Sequence, residues 1–156
     1  MKQRIDYHQI AQRAIQAMLG LEAYVRSSEL EHSLIHLVKI RASQINGCAY
    51  CIDMHTKEAR ADGETEQRIY ATSVWRHAPF FSERERAALA WTEALTLVHT
   101  QGASDELFEA TRVHFNEQEI VALTSAIIAI NSWNRFTEAF RPEVGGYVPA
   151  AAGRTG

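Results

Sequence analysis

Two cysteines and three prolines in 156 residues are too few for a disulfide scaffold or for a chain broken into short turns. No apolar run reaches the ~18 residues of a membrane span, and Met1-Lys2-Gln3-Arg4 leads into mixed polar sequence rather than the apolar stretch of a signal peptide. A cytoplasmic protein with no membrane partner is expected. Basic charge is not in excess: 16 Lys and Arg, scattered along the chain, stand against 19 Asp and Glu for a formal charge of −3. That balance argues against nucleic acid as a partner. Strand-like alternation of apolar and polar residues is also missing, so the fold class is all-α.

What the chain does have is enough apolar residue, 46%, to bury roughly two thirds of its unfolded surface without help from a metal or a disulfide. The two cysteines are therefore free for chemistry. Helical periodicity predicts a domain over 1–142 of about six to seven helices, followed by a Gly- and Ala-rich tail over 143–156 that is mobile or docked on a neighbour. A first helix is expected from Asp6 to Tyr24, packed through Ile10, Ala14, Ala17, Met18 and Leu21. Ser28 with Glu31 has capping-box spacing and should open a second helix that stops at Asn46-Gly47. Further helices are expected over Cys48–Asp62, over Thr65–Trp75, from Ser82, from Ser104, and from Asn116 to Phe140. Residues Ile120 to Ile130 are apolar nearly all round, which suits a central helix or one in a subunit interface.

The chemistry concentrates in Ile45-Asn46-Gly47-Cys48-Ala49-Tyr50-Cys51-Ile52-Asp53-Met54-His55. Residues three and four apart share a helix face, so Cys48, Cys51 and His55 form one stripe. Ideal helix geometry puts the two cysteine Cα atoms about 5 Å apart, within disulfide range. Both sulfurs fall in the first turn, where the helix dipole and unpaired amides favour a thiolate, and His55 one turn on is a ready proton acceptor. The same residues admit a zinc reading, in which His32 or His36 completes a four-coordinate site.

The run from Leu37 to His55 resembles the core of the alkyl hydroperoxidase D-like proteins, within the carboxymuconolactone decarboxylase family. Asn131-Ser132-Trp133-Asn134-Arg135 and Phe140-Arg141-Pro142 resemble the closing helix of that group. The resemblance implies an all-α homotrimer or homohexamer in which Cys48 and Cys51 cycle between dithiol and disulfide while reducing a hydroperoxide. His55 would assist proton transfer, and an external dithiol or reductase would restore the thiols. No cofactor or metal is implied. The family's peroxidases carry a relay glutamate twelve residues before the first cysteine, where this chain has His36, and often a histidine at the position of Tyr50. His36 is a candidate relay in its place, since a histidine exchanges protons near neutral pH.

Dithiol peroxidase activity in antioxidant defence is the expected function, with catalytic candidates Cys48, Cys51, His55 and His36. Cys51, nearer His55, is the expected attacking thiol, while Cys48, nearer the helix terminus, is almost as well placed. A disulfide reductase or redox sensor without a peroxide step, and a zinc module, are the alternatives. Trp75, Trp91 and Trp133 read as core, Asp53 with Lys57 as an ordinary ion pair, and Glu58 and Asp62 as solvated acids.

Overall fold

Polar caps start the helices where the sequence places them. Thr65, Ser82, Ser104 and Asn116 each accept from the backbone N–H three residues on, and Ser82 with Glu85 and Asn116 with Glu119 close full capping boxes. The structure, a computed structural model, describes residues 2–149. Among the described residues the order is α1 (Tyr7–Ile10), α2 (Gln12–Arg26), α3 (His32–Asn46), α4 (Ala49–Ala61), α5 (Glu66–Ala71), a 3₁₀ helix (Thr72–His77), α6 (Glu83–Thr96), α7 (Asp105–Arg112) and α8 (Glu117–Phe140), with no strand. None of these helices is long and apolar enough to cross a membrane. The all-α fold expected from the sequence is present.

α3 is the hub, packed against α4, α6 and α8. Leu34, Ile35 and Val38 of α3 meet Ala88 and Trp91 of α6 and Leu123 and Ile127 of α8 in the main core. Most of α8 from Ile120 to Ile130 is covered by its own chain, with only Val121 and Ile128 more than half exposed. At the far end of α3, Ala42, Cys48, Cys51 and Ile130 form a separate apolar cluster. The cysteines thus sit where α3, α4 and α8 converge.

Several expectations require correction. The first helix breaks at Ala11 (φ −123°, ψ 41°), which raises the α-helix count to eight. Tyr7 is buried against Phe136 and Phe140, each at 5.4 Å between ring centroids, and this contact anchors α1 to the end of α8 independently of α2. The expected stripe holds only at Met18 and Leu21, both half-buried: Ile10 at the end of α1 and Ala14 and Ala17 on α2 are exposed, and the inward face of α2 also takes in Ile15, Glu22 and Val25. The box at Ser28 does not form, because its hydroxyl donates to the Val25 carbonyl at 2.6 Å while Glu31 is taken by Arg84 at 3.0 Å. The expected helix from Thr65 to Trp75 tightens into the 3₁₀ segment after Ala71. Residues 143–149 of the tail lie on α4 of the same chain, and 150–156 fall outside the described residues.

Candidate functional site

Gly47 makes the site possible. It closes α3 in the left-handed conformation (φ 67°), so the chain can turn at once and start α4 with Cys48 as its cap. The Cys48 sulfur accepts from the Cys51 N–H at 3.2 Å, an amide that would otherwise be orphaned at the helix start. The two sulfurs lie at disulfide distance, with Cα atoms 5.4 Å apart, close to the separation expected from helix geometry. α8 supplies the third wall: the Thr137 hydroxyl is 2.9 Å from Cys48 Sγ and 3.6 Å from Cys51 Sγ. Both cysteines are buried.

The two sulfurs border different spaces. Cys51 lines a cavity of about 230 Å³ together with Tyr50, Met54, His55, Trp133 and Lys39. Cys48 lines a second, of about 530 Å³, between Gly47, Tyr50, Thr137 and Arg141. Arg141 ends α8 in the left-handed region (φ 53°), and its buried Nε has no hydrogen-bond partner among the described residues. Thr137 and Tyr50 belong to both linings.

His55 is 2% exposed, one turn beyond Cys51. Its Nδ1 lies 2.8 Å from Glu58 Oε2, and the Tyr147 hydroxyl donates to Glu58 Oε1 at 2.6 Å. Burial pushes the imidazole below its ordinary pKa, so it is neutral at neutral pH. Burial alone would raise the Glu58 carboxyl, but the hydrogen bonds from His55 and Tyr147 outweigh it and hold the group at about 2. A neutral imidazole beside a carboxylate donates from Nδ1, which leaves Nε2 as the bare, basic nitrogen. Nε2 has no hydrogen-bond partner among the described residues. Across the same cavity Lys39 pairs with Glu22 at 2.6 Å, and Glu22 also accepts from Trp133 Nε1 at 3.1 Å. These pairs keep buried charges satisfied and leave the cavity walls fixed.

His36 stands apart from the sulfurs. Its Nε2 is 2.7 Å from Asp62 Oδ2, and it lines a neighbouring pocket that shares Glu22, Arg26, Lys39 and Glu58 with the Cys51 cavity. Asp62 is therefore not merely a solvated acid, and Glu58, also read as one, is the partner of His55. Trp133, read as core, is a wall of the Cys51 cavity. The Asp53–Lys57 pair is present at 2.9 Å. Asn134 is buried and ties α8 to α3 through Ser43 at 3.1 Å and Asn46 at 2.8 Å. Among the described residues no group of three or more His, Cys, Asp or Glu could hold a metal ion. Sequence reasoning missed Glu22, Lys39, Glu58, Thr137 and Tyr147. Only Glu58 had a local signal, its position three residues after His55 on one helix face.

Comparison with known proteins agrees with this architecture. Residues 11–94 match the carboxymuconolactone decarboxylase family. YdfG of Bacillus subtilis, an uncharacterised protein, is 45% identical over 137 residues, covering 88% of this chain and 93% of its own. A crystal structure from Agrobacterium tumefaciens, of a protein of unknown function suggested to be the antioxidant defence protein AhpD, superposes with a TM-score of 0.89 at 51% identity. It covers 94% of this chain and 100% of that one. The debrominase Bmp8 shares the fold, with a TM-score of 0.74 at 20% identity over 83% of this chain and 70% of its own. The chain belongs to the carboxymuconolactone decarboxylase family and is an alkyl hydroperoxidase D-like member of it.

Proposed function

We propose that this protein is a dithiol peroxidase that reduces small organic hydroperoxides in antioxidant defence. The observation that carries the reading is that Cys51 and His55 line one cavity, in which the bare Nε2 of His55 is the available base. His55 takes the Cys51 proton, and the thiolate attacks one peroxide oxygen. The O–O bond breaks, the departing alkoxide takes the proton back from His55, and Cys51 is left as the sulfenic acid. Cys48 then attacks the Cys51 sulfur, its own proton leaving with the hydroxyl as water, and the disulfide forms. An external dithiol reduces that bond and closes the cycle. Cys48 borders the other cavity, which offers the reductant a separate approach.

A cavity of about 230 Å³ lies below the ~300–1,000 Å³ of pockets that hold drug-sized ligands, so a short organic body suits it better than a lipid chain. His36 contacts neither sulfur, and its role in this scheme is proton exchange between the Glu58 pocket and water. We also propose that the chain works in the cytoplasm as a homotrimer or homohexamer. The apolar residues left uncovered on α1 and α8, Ile10, Val121 and Ile128, support assembly.

The test is stopped-flow oxidation of the reduced protein by organic hydroperoxide and by hydrogen peroxide, with metal analysis of the same sample. The expected result is loss of two thiols per peroxide, an intrachain Cys48–Cys51 bridge on peptide mapping, and recovery with a dithiol reductant. Thiols that survive excess hydroperoxide would overturn the reading. Loss of thiols to disulfide reagents alone would favour a disulfide reductase.

A further inference from the structure

Beyond the end of α8 the chain runs back along α4, held at three points. Lys57 donates to the carbonyls of Gly145 at 3.1 Å and Tyr147 at 3.0 Å, and the Gly145 N–H donates to Asp53 at 3.2 Å. Gly145 has φ 99°, a conformation that a side chain would strain, and it makes the bend that follows α4. The result is that the Tyr147 hydroxyl, 89 residues from Glu58 in sequence, meets its carboxylate at 2.6 Å. The other oxygen of that carboxylate is the one on His55.

We propose that Tyr147 is a positioning residue for the thiol chemistry. The segment over 143–149 clamps Glu58 in the orientation that fixes the Nδ1–H tautomer of His55 and keeps Nε2 free as the base. The inference rests on the reading of His55 as the proton acceptor for Cys51 and adds what holds it in that state. Glu58 needs such a clamp. Its side chain is 29% exposed and lines a pocket that also holds Arg26 and Lys39, two cations toward which a free carboxylate could turn. The other charged or titratable groups around it are Glu22 on α2, His32 and His36 on α3, and Asp62 after α4, with Tyr7, His8 and Tyr50 across the adjoining cavity. Tyr147 leaves the carboxylate one arrangement, with each oxygen committed. Burial and the hydrogen bond to Glu58 push the phenol up to about 12, so it remains a donor throughout the neutral range.

The test uses the full-length reduced protein and needs no peroxide, so it is separate from the test of peroxidase activity. Side-chain ¹⁵N spectra report the tautomer of His55 directly, and a small aromatic disulfide reagent reports thiolate reactivity across pH. In the parent, His55 should be in the Nδ1–H form. In Tyr147→Phe, which keeps the ring and its packing, the Nε2–H form should appear and thiol reactivity at neutral pH should fall by about fivefold, the equivalent of one ordinary hydrogen bond. Lys57→Gln keeps the phenol but releases the segment, and it should move the tautomer in the same direction. An unchanged tautomer in Tyr147→Phe would overturn the proposal. An unchanged tautomer in Lys57→Gln would overturn the part assigned to the segment.

Discussion

The two sides of the Cys48–Cys51 pair are built from different materials. On the Cys51 side lies a chain of polar groups, His55 to Glu58 to Tyr147, with Lys39 and Glu22 across the cavity. On the Cys48 side the nearest polar side chain is the Thr137 hydroxyl, and the wider space beyond is lined by Gly47, Tyr50 and, farther out, the charged residues Lys2, Glu138, Arg141 and Glu143, with no histidine among them. The two cysteines are three positions apart in sequence, yet only Cys51 has a neutral base one turn further on. The difference teaches that a symmetric motif acquires direction from its surroundings. On the proposed mechanism, proton transfer belongs to Cys51, and Cys48 needs only to reach its partner and to be reached by a reductant.

The largest effect on that asymmetry should come from His55→Ala. Peroxide-driven thiol loss, followed by stopped flow, is expected to slow by about ten- to a thousand-fold, the range that general acid–base groups contribute. Equal rates in mutant and parent would leave the two sides chemically alike. Thr137→Val should act more weakly and on the other side. Its hydroxyl can turn its proton to a thiolate and is nearer Cys48, at 2.9 Å, than Cys51, at 3.6 Å. Disulfide closure after sulfenic acid formation should slow by less than about tenfold, with the first step almost unchanged, consistent with one hydrogen bond of ~1 kcal/mol. A larger loss in the first step would reverse the assignment.

Smaller still is a pH effect on folding. The buried His55 has a folded pKa below its ordinary 6.5, so between those values the unfolded chain binds a proton that the native one refuses. Stability is therefore complete above about 6.5 and falls as the solution is acidified through that window. Glu58 continues the trend, because its folded pKa of about 2 lies below its ordinary 4.5, and its contribution is lost as pH drops between them. Urea unfolding at pH 7.5, 6 and 5, with His55→Ala alongside, checks this; the expected result is a flatter profile in the mutant.

Much of this arrangement was legible in the sequence because it depends on neighbours along the chain. Gly47, the cysteine spacing and His55 sit within one turn or two of each other, and helix geometry alone brings them together. The caps at Ser82, Ser104 and Asn116 are local in the same sense. Ser28 misled because its hydroxyl closes the preceding helix on the Val25 carbonyl instead of opening the next, and because Glu31 is claimed by Arg84, a contact that only the folded chain creates. The face of α2 misled similarly: small residues marked Ala14 and Ala17, while the packed side carries Glu22, whose charge is answered by Lys39 from another helix. His36 was legible as a histidine in a suggestive position, but not as the partner of Asp62. Tyr147 and Thr137 reach the site across 86 to 89 positions of sequence, from elements that no local pattern links to the cysteines.

The most direct test of the division between the two sulfurs is to trap the first oxidation product. Reduced Cys48→Ser and Cys51→Ser proteins, each treated with one equivalent of organic hydroperoxide in the presence of dimedone, are mapped by mass spectrometry. The account predicts a dimedone adduct on Cys51 in Cys48→Ser and little or none on Cys48 in Cys51→Ser. An adduct on Cys48 in Cys51→Ser, with Cys51 unmodified in the other variant, would contradict it.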